Sequence, residues 1–329
     1  MAERRFAGRS ASAGIAIGSL VKVSRSETRD IKRLGDPALE EVALRDAMAK
    51  AAVDLEALAD VASGDGADIL AFQIEMLADP ALVDDVLIKI GKGEVAIEAW
   101  RAGLQGQIDD YKNADDGYFR ARASDLDDLK DRVGRALSGA KDVAPDLVDG
   151  AILLDRDLTP SRFLALDFEK LGSVALQEGS VSSHVSMLAR ARGLPMIVGL
   201  GEPIDGIGED GDDVIIDAEQ GFLIVAPATE TRQRYKEVVS AADDQARIAA
   251  SRMHQAAITK DGQPIDVMIN IDDPAAVDDD TLKAAGGVGL LRTEFLFMGR
   301  DDLPGEEEQC RAYRDLTDRL EGRPAIIRT

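Results

Sequence analysis

Residues Gln177 to Arg190 set His184, one of only two histidines in the chain, behind a Gly/Ser loop at the start of a helical segment. Ser182 or Ser183 is placed to cap that helix, and Gly193 followed by Pro195 marks its end. A side chain there lies beside backbone N–H groups that have no helical partner and near the positive end of the helix dipole. That environment favours a phosphate or another anion. Neutral imidazole also offers a nitrogen nucleophile near pH 7. A histidine that itself carries a phosphoryl group suits the position. The spacing supports a second reading as well, because His184, Met187, Leu188 and Ala191 recur at i, i+3, i+4 and i+7, the pattern of a buried helix stripe.

The elements that must position this segment are legible as a change of pattern along the chain. Ala11 to Val23 alternates apolar and small residues and reads as a first strand or hairpin. From Pro37 to Ser138 the pattern is helical, with breaks at Ser63-Gly64-Asp65-Gly66, Asp79-Pro80 and Gly91-Lys92-Gly93. After Pro145 short β-branched runs return, at Ala151–Leu154, Ser173–Leu176, Met196–Val198 and Val214–Ile216. The helical block therefore reads as an insertion into one α/β domain. Thr229 to Ala257 reads as a long polar linker helix. Beyond Pro264, apolar runs at Ile265–Ile269, Val288–Leu291 and Ala325–Ile327 alternate with helical segments, the opening of a βα repeat.

Composition narrows the partners. The net charge of −23 over 329 residues disfavours nucleic acid and anionic membrane surfaces and would steer a basic protein. No apolar run approaches a membrane span, and Met1 to Ser10 lacks the apolar core of a secretory signal. A single cysteine, Cys310, excludes an internal disulfide framework and suits a reducing cytoplasm. Gly286-Gly287-Val288-Gly289 lacks the Gly-Lys-Ser/Thr ending of a phosphate loop and reads as a helix stop. The glycines between Gly199 and Gly211 stand among acidic residues in no calcium-loop frame. Two histidines and one cysteine are too few for an ordinary zinc site, and His254, amid Arg252, Gln255 and alanines, reads as a solvated or packing residue. Arg292 and Arg328 follow apparent barrel strands, where they could form surface ion pairs or bind phosphate bidentately.

Gln177 to Arg190 resembles the phosphohistidine motif of Enzyme I of the phosphoenolpyruvate:sugar phosphotransferase system. Swivelling domains of pyruvate phosphate dikinase and phosphoenolpyruvate synthase carry the same motif type. Asp157-Leu158-Thr159-Pro160-Ser161, Leu291-Arg292-Thr293-Glu294-Phe295-Leu296-Phe297-Met298 and Pro304 to Gln309 are similar to Enzyme I in particular. The chain departs from the family pattern where Ser180 replaces a second glycine, Val185 a hydroxyl residue and Phe163 a threonine. The resemblance implies a phosphohistidine α/β domain at 1–30 and 142–228, an inserted helical subdomain binding the carrier HPr at 31–141, a linker helix at 229–260, and the start of a (β/α)8 barrel at 261–329.

It further implies a phosphotransferase that moves a phosphoryl group from phosphoenolpyruvate through His184 to a histidine of HPr or an HPr-like carrier. Gly179, Ser182 and Ser183 would form the phosphate loop, and Arg292 and Arg328 would bind the phosphate of phosphoenolpyruvate. Leu70, Ile74, Leu77 and Arg122 would dock HPr, although by periodicity alone Leu70, Ile74 and Leu77 suit a core better. Magnesium ligands and a catalytic cysteine are expected beyond Thr329, in the remainder of the barrel. The stretch read here is expected to be monomeric and competent only for exchange with HPr, and the intact enzyme to be a homodimer. A non-catalytic carrier-binding relative and a dikinase or synthase swivelling domain stand as alternatives.

Overall fold

The computed structural model describes residues 2–23, 33–62, 64–113, 117–140, 145–271, 274, 277–297 and 303–328. Its contacts divide the chain into two units, Met1–Val239 and Ser240–Thr329.

In the first unit, β1 (Arg4–Ala7), β2 (Arg9–Ser12) and β3 (Ile15–Lys22) open an α/β layer. The helical block follows as α1 (Pro37–Ala59), α2 (Asp65–Ala78), α3 (Asp84–Gly91), α4 (Ala96–Lys112) and α5 (Gly117–Ser138). The chain then returns through β4 (Ala151–Asp155), α6 (Pro160–Leu164), β5 (Leu171–Leu176), α7 (His184–Ala191), β6 (Met196–Val198), β7 (Asp213–Asp217) and β8 (Phe222–Val225). These strands form one sheet in the order β1-β8-β7-β3-β4-β5-β6-β2. Its centre, β3-β4-β5-β6, is parallel, and the flanking strands pair antiparallel. Because β3 and β4 are hydrogen-bonded neighbours, the whole helical block is one long excursion between adjacent strands. The expected limits of that block, near residues 31 and 142, lie outside the described residues.

Of the two readings of Ala11–Val23, the strand forms as β3 and the hairpin does not. β2 and β3 part at Gly14, whose φ of +130 suits glycine, and each strand finds a distant partner. Strand approach is tightest where Gly18 of β3 meets Gly150, since a Cβ on Gly18 would lie 1.9 Å from the Gly150 carbonyl oxygen.

Apolar residues of α6, α7 and one sheet face form one core around Phe163, Val174 and Leu188, and Leu20, Ile152 and Val214 lie in a second. The helices enclose a third around Leu44, Leu70, Trp100 and Leu126. Leu164 of α6 packs against both the helical core and its neighbour on the sheet. The Trp100 indole nitrogen donates to the Lys130 carbonyl, which satisfies the one polar atom of a fully buried ring.

The polar helix α8 (Thr229–Arg252) starts on this unit. Tyr235, its one buried residue, donates its hydroxyl to Asp217 at 2.7 Å. The helix ends at Arg252, short of the expected Ala257, because β9 (Ala257–Ile258) begins there and pairs antiparallel with β10 (Pro264–Ile265). The expected strand Ile265–Ile269 is thereby divided: Thr259 and Gln263 close a turn, and β11 (Met268–Ile271) starts afresh. Next come α9 (Asp279–Ala284), β12 (Gly287–Arg292), α10 (Glu306–Leu320) and β13 (Ala325–Arg328). The three strands β11-β12-β13 are parallel, with Leu282, Val288, Leu316 and Leu320 buried against them. That is the βα alternation read from the sequence.

Candidate functional site

The parallel strands β4 and β5 end side by side, Asp155 opposite Leu176, and each hands the chain to a helix. The carboxyl ends of such strands are where open α/β sheets place ligands. After β5 the chain turns through Gly179 at φ +94, a left-handed conformation natural to glycine. Ser180, where the resemblance implies a second glycine, keeps a negative φ, and its hydroxyl accepts from the Ser182 N–H at 3.3 Å. Ser183 is the N-cap of α7, accepting from the Ser186 N–H at 3.2 Å, and the Ser186 hydroxyl donates to the Ser180 carbonyl at 2.7 Å. Arg190 ties this loop to β2 by donating to the carbonyls of Val181 and Ala11. At the far end of α7, Leu194 N–H reaches Ala189 and Gly193 N–H reaches Arg190, a Schellman closure with Gly193 at φ +63.

His184 is therefore the first residue of α7, where the uncompensated amides and helix dipole act. Its helix buries Val185, Leu188 and Ala189, whereas Met187 and Ala191 are exposed. The expected stripe is thus turned by one residue toward the sheet. Val185 and Phe163, which stand where the resemblance implies hydroxyls, are core residues, with Phe163 edge-on to Phe168 at 5.2 Å.

The side chain of His184 is 14% exposed, but its Nδ1 is buried, makes no hydrogen bond and lies 3.5 Å from Asp125 Oδ1 of α5. Asp125 belongs to a buried polar cluster between α2, α5 and α6. The Asp128 carboxylate accepts from the Ser161 N–H at 2.8 Å, the Ser161 hydroxyl at 2.7 Å and the Gln73 amide at 3.1 Å. Arg132 donates to the Ser161 oxygen at 2.8 Å. Arg122 ion-pairs with Asp125 and lies over the Phe72 ring, 3.6 Å from its centroid. None of Asp125, Asp128, Gln73 and Arg132 was singled out as functional from the sequence. Their signal was present: Asp125, Asp128 and Arg132 recur at i, i+3 and i+7 beside the apolar stripe Leu126, Leu129 and Val133.

At the mouth of the loop Asp157 has its pKa raised, first by partial desolvation of its carboxyl, although the residue as a whole stays exposed, and then by Glu178, Asp127 and Asp155. Arg156 answers Glu178 with an ion pair of 2.7 Å.

The expected docking set needs correction. Leu70 has no exposed area and Leu77 is 7% exposed, so these two side chains hold α2 in place and offer no docking contact, whereas Ile74 packs on the same helical core but stays partly exposed. Arg122, partly exposed, remains available at the surface of that block. The side chains of residues 117–121, just before Arg122, lie outside the described residues.

In the second unit Arg292 and Arg328 are register partners on β12 and β13 and so leave the sheet from the same carboxyl edge. The Arg328 guanidinium pairs with Glu294, and the Thr293 hydroxyl donates to the Arg328 carbonyl at 2.6 Å. His254 is half exposed, 3.1 Å from Asp280. Among the described residues no three His, Cys, Asp or Glu side chains gather to hold a metal ion. The magnesium ligands that the resemblance implies are expected beyond Thr329, outside these residues. No helix among them is long and apolar enough to cross a membrane.

Three family models match in succession: PEP-utilising enzyme N-terminal over residues 7–122, mobile domain over 147–221 and PEP-binding domain over 228–329. A phosphoenolpyruvate-protein phosphotransferase of Bacillus subtilis strain 168 is 32% identical over 98% of this chain and 58% of its own length. A multiphosphoryl transfer protein of Rhodobacter capsulatus is 34% identical over 99% of this chain and 40% of its own. The chain thus spans 58% of the length of the first of these relatives. Among solved structures, a solution structure of an Enzyme I protein matches with a TM-score of 0.60 and 26% identity, covering 72% of this chain and 99% of that one.

Proposed function

The chain belongs to the PEP-utilising enzyme family, with N-terminal, mobile and PEP-binding domains in succession, and we propose that it is part of a phosphoenolpyruvate-protein phosphotransferase, Enzyme I, acting in the cytoplasm. His184 accepts a phosphoryl group and passes it to a histidine of a basic HPr-like carrier. One observation carries the reading: a histidine with limited solvent access opens a capped helix directly behind a Gly/Ser loop at the carboxyl edge of the parallel strands.

The chemistry asks little of the protein beyond placement. Phosphoryl transfer passes through a loose, metaphosphate-like state that needs in-line attack and stabilisation of charge on the transferring oxygens. The free amides at the start of α7, the hydroxyls of Ser182 and Ser183 and the left-handed turn at Gly179 are suited to that charge. In exchange with the carrier, the P–N bond on the carrier histidine breaks as one forms on His184. In transfer from phosphoenolpyruvate the P–O bond breaks and enolpyruvate leaves, with Arg292 and Arg328 gripping the donor phosphate.

The domain limits follow the same reading: the carrier-binding insert comprises α1 to α5, and its contact surface includes Arg122. The net charge of −23 steers a basic carrier. Incubation of wild type and His184→Ala with phosphorylated HPr tests the proposal. Acid-labile phosphate should appear on wild type alone and arrive more slowly as salt rises. Equal labelling of both proteins would rule out His184.

A further inference from the structure

We infer that Asp125, a residue of the helical insert, is a positioning residue that decides which nitrogen of His184 reacts. The inference rests on His184 being the nucleophile. The two imidazole nitrogens are in different surroundings. Nδ1 is buried and makes no hydrogen bond. The 14% of the side chain that reaches solvent excludes it. A buried N–H or nitrogen lone pair left without a partner is costly, and a carboxylate oxygen, Asp125 Oδ1, approaches it at 3.5 Å. A modest rotation of the ring turns that approach into a hydrogen bond in which Nδ1–H donates. A carboxylate can only accept, so it selects the tautomer with the proton on Nδ1 and the lone pair on Nε2. A buried aspartate that orients an imidazole in a catalytic triad acts by the same physics.

The surroundings of Asp125 supply its carboxyl with donors. Its residue is fully buried, yet Arg122 approaches Oδ2 at 3.4 Å and the Gln73 amide approaches Oδ1 at 3.5 Å. Asp128, one turn along α5, is already occupied by Ser161 and Gln73, so the two carboxylates divide the work: Asp128 anchors α6, and Asp125 faces the histidine. The insert thus carries more than a docking surface. It supplies the group that leaves Nε2 unprotonated and directed to the partly open side, where a phosphoryl donor can approach in line.

With only two histidines in the chain, a long-range 1H–15N correlation spectrum of the full 15N-labelled chain resolves the tautomer, and His184→Gln assigns the signals. At a pH where the ring is neutral, wild type should show Nδ1 protonated over Nε2 by about tenfold or more, the ratio one charge-assisted hydrogen bond supplies. Asp125→Asn, isosteric but uncharged, should lower that ratio about tenfold while the circular dichroism spectrum is kept, a change that a purely structural residue would not cause. Phosphoramidate, a small phosphoryl donor, should then label Nε2 in wild type. In Asp125→Asn labelling should be slower by about tenfold and divided between the nitrogens.

A wild type dominated by the Nε2–H tautomer overturns the inference, as does a folded Asp125→Asn with an unchanged ratio. If Asp125→Asn does not fold, the wild-type spectrum alone decides. If the tautomer is as expected but phosphoramidate leaves His184 unlabelled, the tautomer selection by Asp125 stands, whereas the phosphotransfer reading fails and with it the consequence for reactivity.

Discussion

Replacing Asp128 with alanine tests whether the buried polar cluster is what fastens the helical insert to the α/β layer. The residue is 1% exposed and accepts three hydrogen bonds, from the Ser161 N–H and hydroxyl and from the Gln73 amide. Alanine leaves all three donors without this acceptor and removes the buried charge that the Ser161 hydroxyl, itself accepting from Arg132, donates to. A hydrogen bond to a charged group is worth about 1.5–3 kcal/mol net, and removing one member of a buried ionic cluster costs about 3–5 kcal/mol, so the contributions overlap and do not sum. We expect a loss of about 4 kcal/mol, which for a unit of this size lowers the melting temperature by about 10 °C. Urea unfolding followed by tryptophan fluorescence suits the question, because Trp100 is buried in the insert core. Ser161→Ala alone and the double variant complete a cycle, whose coupling should be about 1 kcal/mol or more. A loss below about 1 kcal/mol, or strict additivity with Ser161→Ala, would refute the idea that this carboxylate joins the two parts.

Three further outcomes follow from individual residues. Asp157, held protonated to higher pH in the fold than in the unfolded chain, costs stability increasingly as pH rises from 3.8 through its raised value, so Asp157→Asn should stabilise the protein at neutral pH but not at pH about 3; equal midpoints at both would disprove it. The Glu3 carboxylate, bonded first by the Thr231 hydroxyl and then by the Ala228 N–H, is lowered to about 2, so its contribution is complete above 4.5 and is lost as pH falls toward 2. Glu3→Gln should flatten that acid-side loss in urea midpoints, and an unaltered pH profile would count against the assignment. Gly18→Ala drives a Cβ into the Gly150 carbonyl and should cost about 3 kcal/mol, whereas Gly106→Ala, with open space beside it in α4, should stabilise by about 0.5–1 kcal/mol; similar midpoints for the two variants would contradict the packing.

Much of the site was legible along the chain because its signals are local. Ser183 capping, the left-handed Gly179 and the Gly193 closure act within a turn of His184, and these together set a histidine at a helix start whatever surrounds it. The β-branched runs at Ala151–Leu154, Ser173–Leu176 and Val214–Ile216 likewise became strands, and the helical stretch from Pro37 became helices. The face that α7 buries was decided by what packs on it, so the buried set became Val185, Leu188 and Ala189. Leu70 and Leu77 show the same limit: an amphipathic stripe looks alike whether a carrier or a sibling helix covers it, and here the helices cover it. Strand partners also lay outside local reach, since β2 and β3 adjoin in sequence yet pair with β6, β4 and β7. The approach of Asp125 to His184 required α5, α6 and α7 to meet through Asp128 and Ser161. Caps and periodicity specify an element from residues within a turn or two, whereas the environment of a side chain is specified by long-range packing, and only the tertiary structure could place a carboxylate beside Nδ1.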